Sequence, residues 1–122
     1  MAWRPMIYVI DDDGEVRDSI RILLELNDFQ VRPYPSGEAF LRDERPDSDG
    51  CVVCDMAMTG LTGLDVVEQL RREGNMIPII LMAGDVRSRM LAAAERLDTA
   101  IIEKPFRPGE LIARIKQSLG KN

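Results

Sequence analysis

The chain has 122 residues, of which 45% are hydrophobic and 30% are charged. That size predicts one domain spanning residues 1–122, and that composition is typical of soluble globular proteins. The formal net charge of −5 gives no general attraction to nucleic acid or anionic lipid, so we expect no direct DNA binding by this chain. No stretch approaches the ~18 apolar residues of a membrane span and no signal peptide is recognisable, which predicts a cytoplasmic protein.

Five short apolar runs recur along the chain, and each is followed by a segment with the apolar spacing of a helix. Helix start signals agree with this pattern, with Ser36, Thr62 and Asp85 as N-cap candidates and Pro108 in a first helical turn. The pattern therefore predicts five consecutive βα units. The predicted strands lie at residues 7–10, 29–31, 51–54, 79–82 and 100–102.

Strands that alternate with helices predict an α/β fold with a parallel sheet covered on both faces. Four of the runs are continuously apolar, whereas residues 29–32 alternate apolar with polar and precede Pro33, as expected of an edge strand. These features favour the flavodoxin-like, doubly wound (βα)5 fold, with five parallel strands in the order 2-1-3-4-5. In that order, ligands bind beyond the carboxyl ends of strands 1 and 3.

Two cysteines form a C-x-x-C motif, which elsewhere can be a redox pair or half of a zinc site. Here Cys51 and Cys54 lie inside the third predicted strand, where residues three apart point to opposite faces about 10 Å apart. The chain has no histidine and no third cysteine to complete a zinc site. We expect both to be reduced, buried core residues.

An acidic run ends the first predicted strand in the sequence VIDDDGE, residues 9–15. Adjacent carboxylates repel one another, so the run either ends the strand and caps the next helix or meets a cation. Asp55 ends strand 3 and should lie beside Asp11 and Asp12. Carboxylates without histidine or cysteine are typical of a hard oxygen site for Mg²⁺ or Mn²⁺.

Lys104 ends the fifth predicted strand and should point into the same crevice. Acids, a divalent ion and one ammonium group suit a phosphoryl group, because the cations neutralise its oxygens while a carboxylate attacks. Asp55 is the candidate nucleophile, with Asp11 and Asp12 serving the metal.

Four segments together resemble the receiver domain of two-component response regulators. They are VIDDD in strand 1, VVCDMAMTGLTGLD around Asp55, IPIILMAGD in strand 4 and EKPF at residues 103–106. The similarity covers nearly the whole chain. It implies a protein that accepts a phosphoryl group and signals to a partner or an output domain, and whose only catalysis is its own phosphorylation and dephosphorylation.

The resemblance also implies roles for individual residues. Asp12 and Asp55 would ligate Mg²⁺ directly, Asp11 mainly through water, and Ala57 through its backbone carbonyl. Asp55 would be phosphorylated by a phosphohistidine donor on a sensor histidine kinase or phosphotransfer protein. Lys104 would contact the phosphoryl group, and the Lys104–Pro105 peptide bond would be cis.

Three positions depart from the family pattern. The family usually has serine or threonine where this chain has Ala83, an aromatic residue where it has Ile101, and proline where it has Thr59. In the family, the strand 4 hydroxyl and the strand 5 aromatic form a switch acting on the face of helix 4, strand 5 and helix 5. Ala83 and Ile101 are thus atypical switch positions, and they suggest weak coupling.

Two other functions stay open at this point. Ala83 and Ile101 favour a degenerate receiver that binds partners independently of phosphorylation. The run Asp11 to Glu15 is similar to the DxDG motif of haloacid dehalogenase-like phosphatases, although this chain has no room for their cap domain and has only Glu110 as an acid after Lys104. The sequence identifies neither the kinase nor the output partner, and a homodimer is one option for the oligomeric state.

Overall fold

Five strands and five helices alternate along the chain in the computed structural model, which describes residues 4–44, 46 and 49–120. This alternation confirms the five predicted βα units. The strands are β1 (Met6–Ile10), β2 (Gln30–Tyr34), β3 (Cys51–Asp55), β4 (Ile79–Ala83) and β5 (Ala100–Glu103). The helices are α1 (Gly14–Leu26), α2 (Gly37–Asp43), α3 (Gly63–Arg72), α4 (Ser88–Arg96) and α5 (Pro108–Leu119).

All strand pairs are parallel, and the sheet has the order β2-β1-β3-β4-β5. The fold is therefore the predicted flavodoxin-like doubly wound sheet. In the register of β1 against β3, Ile10 lies beside Cys54. The residues that follow, Asp11 and Asp55, consequently lie next to each other at the carboxyl edge of the sheet.

The two faces of the sheet carry two apolar clusters. One contains residues of α2 and α3, with Met90 of α4 and Leu97 just after it packed against the cluster. The other contains residues of α1 and α5. Cys54 belongs to the first cluster and Cys51 to the second, and both are fully buried and free. Burial raises the pKa of the Cys51 thiol to about 12 and raises that of Cys54 as well. Their burial and unbonded sulfurs confirm the prediction of two core cysteines that form no disulfide with each other.

The edge strand β2 differs slightly from its prediction. It begins at Gln30, one residue later than expected, and continues through Pro33 to Tyr34 rather than ending before the proline. An edge strand tolerates proline because its outer side forms no ladder hydrogen bonds. Phe29 lies just outside the strand and is buried.

Helix starts agree with the sequence in three cases and disagree in one. The Ser36 side chain caps α2, Thr62 caps α3 in a capping box, and Pro108 stands in the first turn of α5. The prediction that Asp85 caps α4 is wrong. The N-cap residue is Arg87, which makes no side-chain cap hydrogen bond because a guanidinium has no acceptor atom. The Asp85 carboxylate, two residues earlier, forms an ion pair with the Arg87 guanidinium at 2.9 Å.

Arg71 connects the end of α3 to the turn that follows α4. Its guanidinium donates hydrogen bonds to the backbone carbonyls of Leu97 at 2.7 Å and Asp98 at 3.1 Å, and to those of Asn75 and Ile77, both at 2.9 Å. Burial lowers the pKa of Arg71. The carboxyl-terminal end of α4 is therefore anchored, whereas its amino-terminal end lacks a side-chain cap.

Among the helices of the described residues, none combines the length and apolar character needed to cross a membrane.

Candidate functional site

Three carboxylates converge at the carboxyl edge of the sheet. Asp11 follows β1, Asp12 comes next, and Asp55 is the last residue of β3. Each offers one oxygen such that these atoms all lie within 4.8 Å of one another. Asp11 and Asp55 are buried, with 2% and 7% of their surface exposed, whereas Asp12 is exposed. We call these three residues the acid cluster.

The buried Asp11 carboxylate is only partly compensated. Its Oδ1 accepts a hydrogen bond from the Asp13 N–H at 2.9 Å, while its Oδ2 is buried without a hydrogen-bond partner among the described residues. Burial raises the pKa of Asp11; the Asp13 hydrogen bond opposes this effect, and the nearby Asp55 charge adds to it. A buried carboxylate oxygen without a donor is a position where a cation would lower the free energy.

Lys104 brings a positive charge to the other side of Asp55. Its Nζ lies 2.8 Å from Asp55 Oδ1. The Lys104 backbone N–H donates a hydrogen bond of 2.7 Å to the Ala83 carbonyl. The peptide bond between Lys104 and Pro105 is cis. Because β5 and β3 flank β4, the lysine reaches across the end of β4 to the aspartate.

The acidic run after β1 contains both a helix cap and possible cation ligands, the two roles considered from the sequence. The Asp13 side chain caps α1, accepting hydrogen bonds from the N–H groups of Glu15 at 3.0 Å and Val16 at 3.3 Å. Asp11 and Asp12 instead belong to the acid cluster. One part of the run therefore has a structural role, and the other part is available for a ligand.

The loop between β3 and α3, residues 56–62, borders the acid cluster. Its Thr59 N–H donates to Asp12 Oδ2 at 3.1 Å, and its Leu61 N–H donates to Glu38 Oε2 at 3.3 Å. Between them, Gly60 has a φ of +83°, a conformation that favours glycine. Ala57 lies in this loop, and the assignment of its carbonyl as a metal ligand stays a prediction.

Ala83 and Ile101, the two positions predicted to act as a switch, lie on the face of the sheet that packs against α2, α3 and α4. Ala83 is 3% exposed at the end of β4, and Ile101 is half-buried against the same apolar cluster. In the register of β4 and β5, Ile101 lies beside Leu81. These two positions therefore carry aliphatic side chains, without the hydroxyl and the aromatic ring that the sequence resemblance leads one to expect.

Three contacts at the site were missed by sequence reasoning. Arg17 donates to the Asp11 backbone carbonyl at 2.7 Å, Thr59 donates to Asp12 through its backbone, and Glu38 holds the loop from α2. The sequence carries no signal for a backbone N–H donor that binds 47 residues away. For Arg17, the position one turn into the helix that follows the acidic run is the signal that could have found it.

The arrangement as a whole places three carboxylates at the carboxyl edge of the sheet, and one of them, the buried Asp55, contacts an ammonium group. Residues 7–116 match the protein family described as response regulator receiver domain. The chain belongs to this receiver family. The resemblance seen in the sequence is thereby confirmed, and receiver domains are signalling proteins rather than classical enzymes.

Relatives of this receiver domain occur in bacteria. It is 36% identical over 117 residues to the transcriptional regulatory protein FixJ of Azorhizobium caulinodans, covering 95% of this chain and 56% of that protein. It is 33% identical over 115 residues to the response regulator protein TodT of Pseudomonas putida, covering 93% of this chain and 51% of that protein. The chain thus spans about half the length of these curated relatives.

A solved structure shows the same architecture. The structure of full-length FixJ from B. japonicum superposes with a TM-score of 0.85 at 32% identity, covering 97% of this chain and 59% of that one. The receiver domain therefore matches a part of a longer regulator in both sequence and structure.

Proposed function

We propose that this receiver domain accepts a phosphoryl group on Asp55 in a Mg²⁺-dependent reaction and signals to a partner protein or an output domain. The observation that carries the proposal is the contact of 2.8 Å between Lys104 Nζ and Asp55 Oδ1, beside two further carboxylates. A nucleophile flanked by an ammonium group on one side and acidic metal ligands on the other has the groups that phosphoryl transfer needs.

The acid cluster fits a divalent cation. Asp12 and Asp55 would hold Mg²⁺ or Mn²⁺ directly, Asp11 mainly through water, and Ala57 through its carbonyl. The unpartnered, buried Asp11 Oδ2 supports this fit, because a carboxylate in that state needs a nearby positive charge. When bound, the ion neutralises negative charge on the phosphoryl oxygens.

The residues of this chain would divide the chemistry among them. An Asp55 carboxylate oxygen forms the new bond to phosphorus while the bond between phosphorus and the histidine nitrogen of the donor breaks. The Lys104 ammonium, which contacts Asp55, then contacts a phosphoryl oxygen and stabilises its charge. The donor in this proposal is a phosphohistidine on a sensor histidine kinase or phosphotransfer protein.

The output in this proposal is a further domain or a separate protein that contacts the face of α4, β5 and α5. FixJ is named as a transcriptional regulatory protein, and this chain spans 56% of its length. With its net charge of −5, this receiver would not bind DNA itself, so such an output would need another domain. Homodimerisation through this chain remains part of the proposal.

Of the two other functions considered from the sequence, one is supported by the structure's side chains and the other is not. A degenerate receiver that binds partners without phosphorylation is favoured by the aliphatic switch positions, Ala83 and Ile101. A haloacid dehalogenase-like phosphatase is not supported, because residues 7–116 match the receiver family. The presence of the acid cluster and Lys104 supports our proposal over the degenerate receiver, since a phosphorylation-independent module has no need of them.

Phosphorylation can be tested by intact-mass spectrometry after incubation with acetyl phosphate and Mg²⁺. We expect the mass of one phosphoryl group to be added to the wild type, and no addition to Asp55→Asn or in the presence of excess chelator. A matched control is Asp18→Asn, which alters an exposed aspartate on α1. An unmodified wild type would favour the degenerate module, and phosphate retained by Asp55→Asn would show that Asp55 is not the acceptor.

A further inference from the structure

The loop of residues 56–62 is tied to the rest of the molecule by hydrogen bonds from its middle as well as its ends. At its ends, the Met56 N–H donates to the Met82 carbonyl at 2.8 Å and the Gly63 N–H donates to the Met56 carbonyl at 3.0 Å. In its middle, Thr59 is tied to Asp12 and Leu61 to Glu38. Of these tethers, the Thr59 bond is the one that ends on the acid cluster.

We infer that the Thr59 backbone N–H is a positioning group for the metal site. It holds the Asp12 carboxylate and the loop that carries Ala57 in a fixed relation, so that two ligands from different strands are in place before the metal binds. The inference rests on the proposed function, in which Asp12 and the Ala57 carbonyl both ligate Mg²⁺. It adds a residue that touches neither the metal nor the phosphoryl group.

The chemistry of Asp12 is compatible with this role. An ionised carboxylate has about four lone-pair sites, so accepting one N–H at Oδ2 leaves capacity for a metal. Asp12 is exposed, and without a tether its side chain would have to be ordered when the metal binds. Hydrogen bonds that orient metal-ligating carboxylates contribute to metal affinity for this reason.

Thr59 also stands at a position where the family usually has proline. Proline has no backbone N–H, so a receiver with proline there cannot form this bond. Threonine in place of proline at position 59 therefore adds a backbone N–H donor in contact with the acid cluster. Proline at position 59 would therefore remove this donor, and the stability of the metal-free variant shows whether the loop accepts it.

The test compares Thr59→Pro with Thr59→Ala. The first removes the N–H, while the second removes the threonine side chain and keeps the N–H. Mg²⁺ affinity is measured by NMR titration, and urea unfolding in chelator reports on the stability of the metal-free fold. We expect Thr59→Pro to weaken Mg²⁺ binding about tenfold, the lower end of the usual effect of losing such a group, and Thr59→Ala to bind like the wild type.

The outcomes separate the inference from the function on which it rests. Wild-type Mg²⁺ affinity in both variants would overturn the inference. An equal loss of Mg²⁺ affinity in both variants would also overturn it, since the loss of the N–H would then not be the cause. A wild type that binds no Mg²⁺ would overturn the proposed function itself.

Hydrogen exchange of the Thr59 amide provides a second measurement that needs no proline variant. We expect this amide to be protected in the metal-free wild type and to exchange faster in Asp12→Ala, with the Leu61 amide, which donates to Glu38, unchanged. Exchange of the Thr59 amide at the same rate in both proteins would overturn the inference even if Thr59→Pro fails to fold.

Discussion

The acid cluster at the ends of β1 and β3 differs in its side chains from the pair Ala83 and Ile101 on the neighbouring strands β4 and β5. Around Asp55, charged side chains and backbone donors meet, with Lys104 at 2.8 Å and the Asp12 carboxylate held by Thr59. Ala83 and Ile101 instead present aliphatic side chains to the apolar cluster on the face of α2, α3 and α4. The polar region has the groups that a phosphoryl site needs, whereas the aliphatic region offers no hydroxyl to respond to one.

This difference suggests that the chemistry and its transmission can be separated in a receiver domain. A ligand shifts a conformational equilibrium only through contacts that differ between the two states. Ala83 cannot donate to a phosphoryl oxygen, and a β-branched isoleucine on a strand has few rotamers to exchange. We therefore expect phosphoryl transfer to survive while the face of α4, β5 and α5 changes little.

Among the variants that test the difference between the acid cluster and the pair Ala83 and Ile101, we expect Lys104→Met to have the largest effect. It removes the ammonium group that contacts Asp55 and keeps the length of the aliphatic stem. We expect the rate of phosphorylation by acetyl phosphate to fall on the order of 100-fold, as is usual when a group that stabilises transition-state charge is lost.

The matched control for that variant is Lys116→Met, which changes an exposed lysine on α5. It should be phosphorylated at the wild-type rate. If Lys104→Met were phosphorylated as fast as this control, the contact between Lys104 and Asp55 would be structural. The ammonium group would then have no role in phosphoryl transfer.

A smaller effect concerns Asp11 and pH. Burial raises its pKa above the ordinary value of 3.8. A carboxyl group with a raised folded-state pKa stabilises the fold below its unfolded pKa, and this contribution is lost as pH rises through the folded pKa. The metal-free protein should therefore lose stability from this group as pH rises above about 4, and added Mg²⁺ should restore it more strongly at neutral than at acidic pH.

Asp11→Asn should remove this pH dependence. In chelator at neutral pH, we expect the variant to be more stable than the wild type by on the order of 1 kcal/mol and to gain less from Mg²⁺. Urea unfolding across the acidic to neutral range measures both quantities. Asp18→Asn, which alters an exposed aspartate of α1, is the control. Identical pH profiles for Asp11→Asn and wild type would contradict the assignment of this buried charge.

The smallest effect is expected in the aliphatic region. Beryllofluoride, a phosphoryl mimic, should cause only small backbone NMR shifts across residues 86–116 of the wild type. Ala83→Thr combined with Ile101→Tyr should enlarge those shifts, because the hydroxyl adds a donor whose bond to a charged acceptor contributes about 1.5–3 kcal/mol.

Valine tests whether the hydroxyl is the cause, since it has the shape of threonine without the donor. Ala83→Val with Ile101→Tyr should respond like the wild type. Large shifts across residues 86–116 in the wild type would instead mean that another element, such as the segment of Gly84 and Asp85, couples the two regions.

The strands, their order and most helix starts could be predicted because they depend on local patterns. Continuous apolar runs, the alternation of the edge strand and the caps at Ser36 and Thr62 are all short-range signals, and the structure confirms them. Asp85 was assigned to a cap wrongly because local propensity does not register the competing ion pair with Arg87 at 2.9 Å. The Asp85 carboxylate could either cap the helix or pair with Arg87, and the sequence pattern indicated only the cap.

The candidate site was predicted in its side chains but not in its hydrogen bonds. Asp11 and Asp55 could be brought together from sequence because parallel strands end at one edge and the strand order places β1 beside β3. The Thr59 donor to Asp12 and the four carbonyls bound by Arg71 could not be predicted, since each of these bonds pairs a side chain with a backbone group in a loop or turn. A backbone N–H has the same identity at nearly every residue, so its partner is decided by the loop path.

By itself, the sequence determined the βα alternation, the edge position of β2, the opposite faces of Cys51 and Cys54 and the meeting of three carboxylates, because periodicity and strand parity fix which side chains share a face or an edge. Only the tertiary structure decided how the charges are compensated. It left Asp11 Oδ2 buried without a partner among the described residues, set Lys104 against Asp55 and placed the Thr59 N–H on Asp12. These outcomes depend on distances of a few ångströms between segments remote in sequence, which only the packing of the helices on the sheet determines.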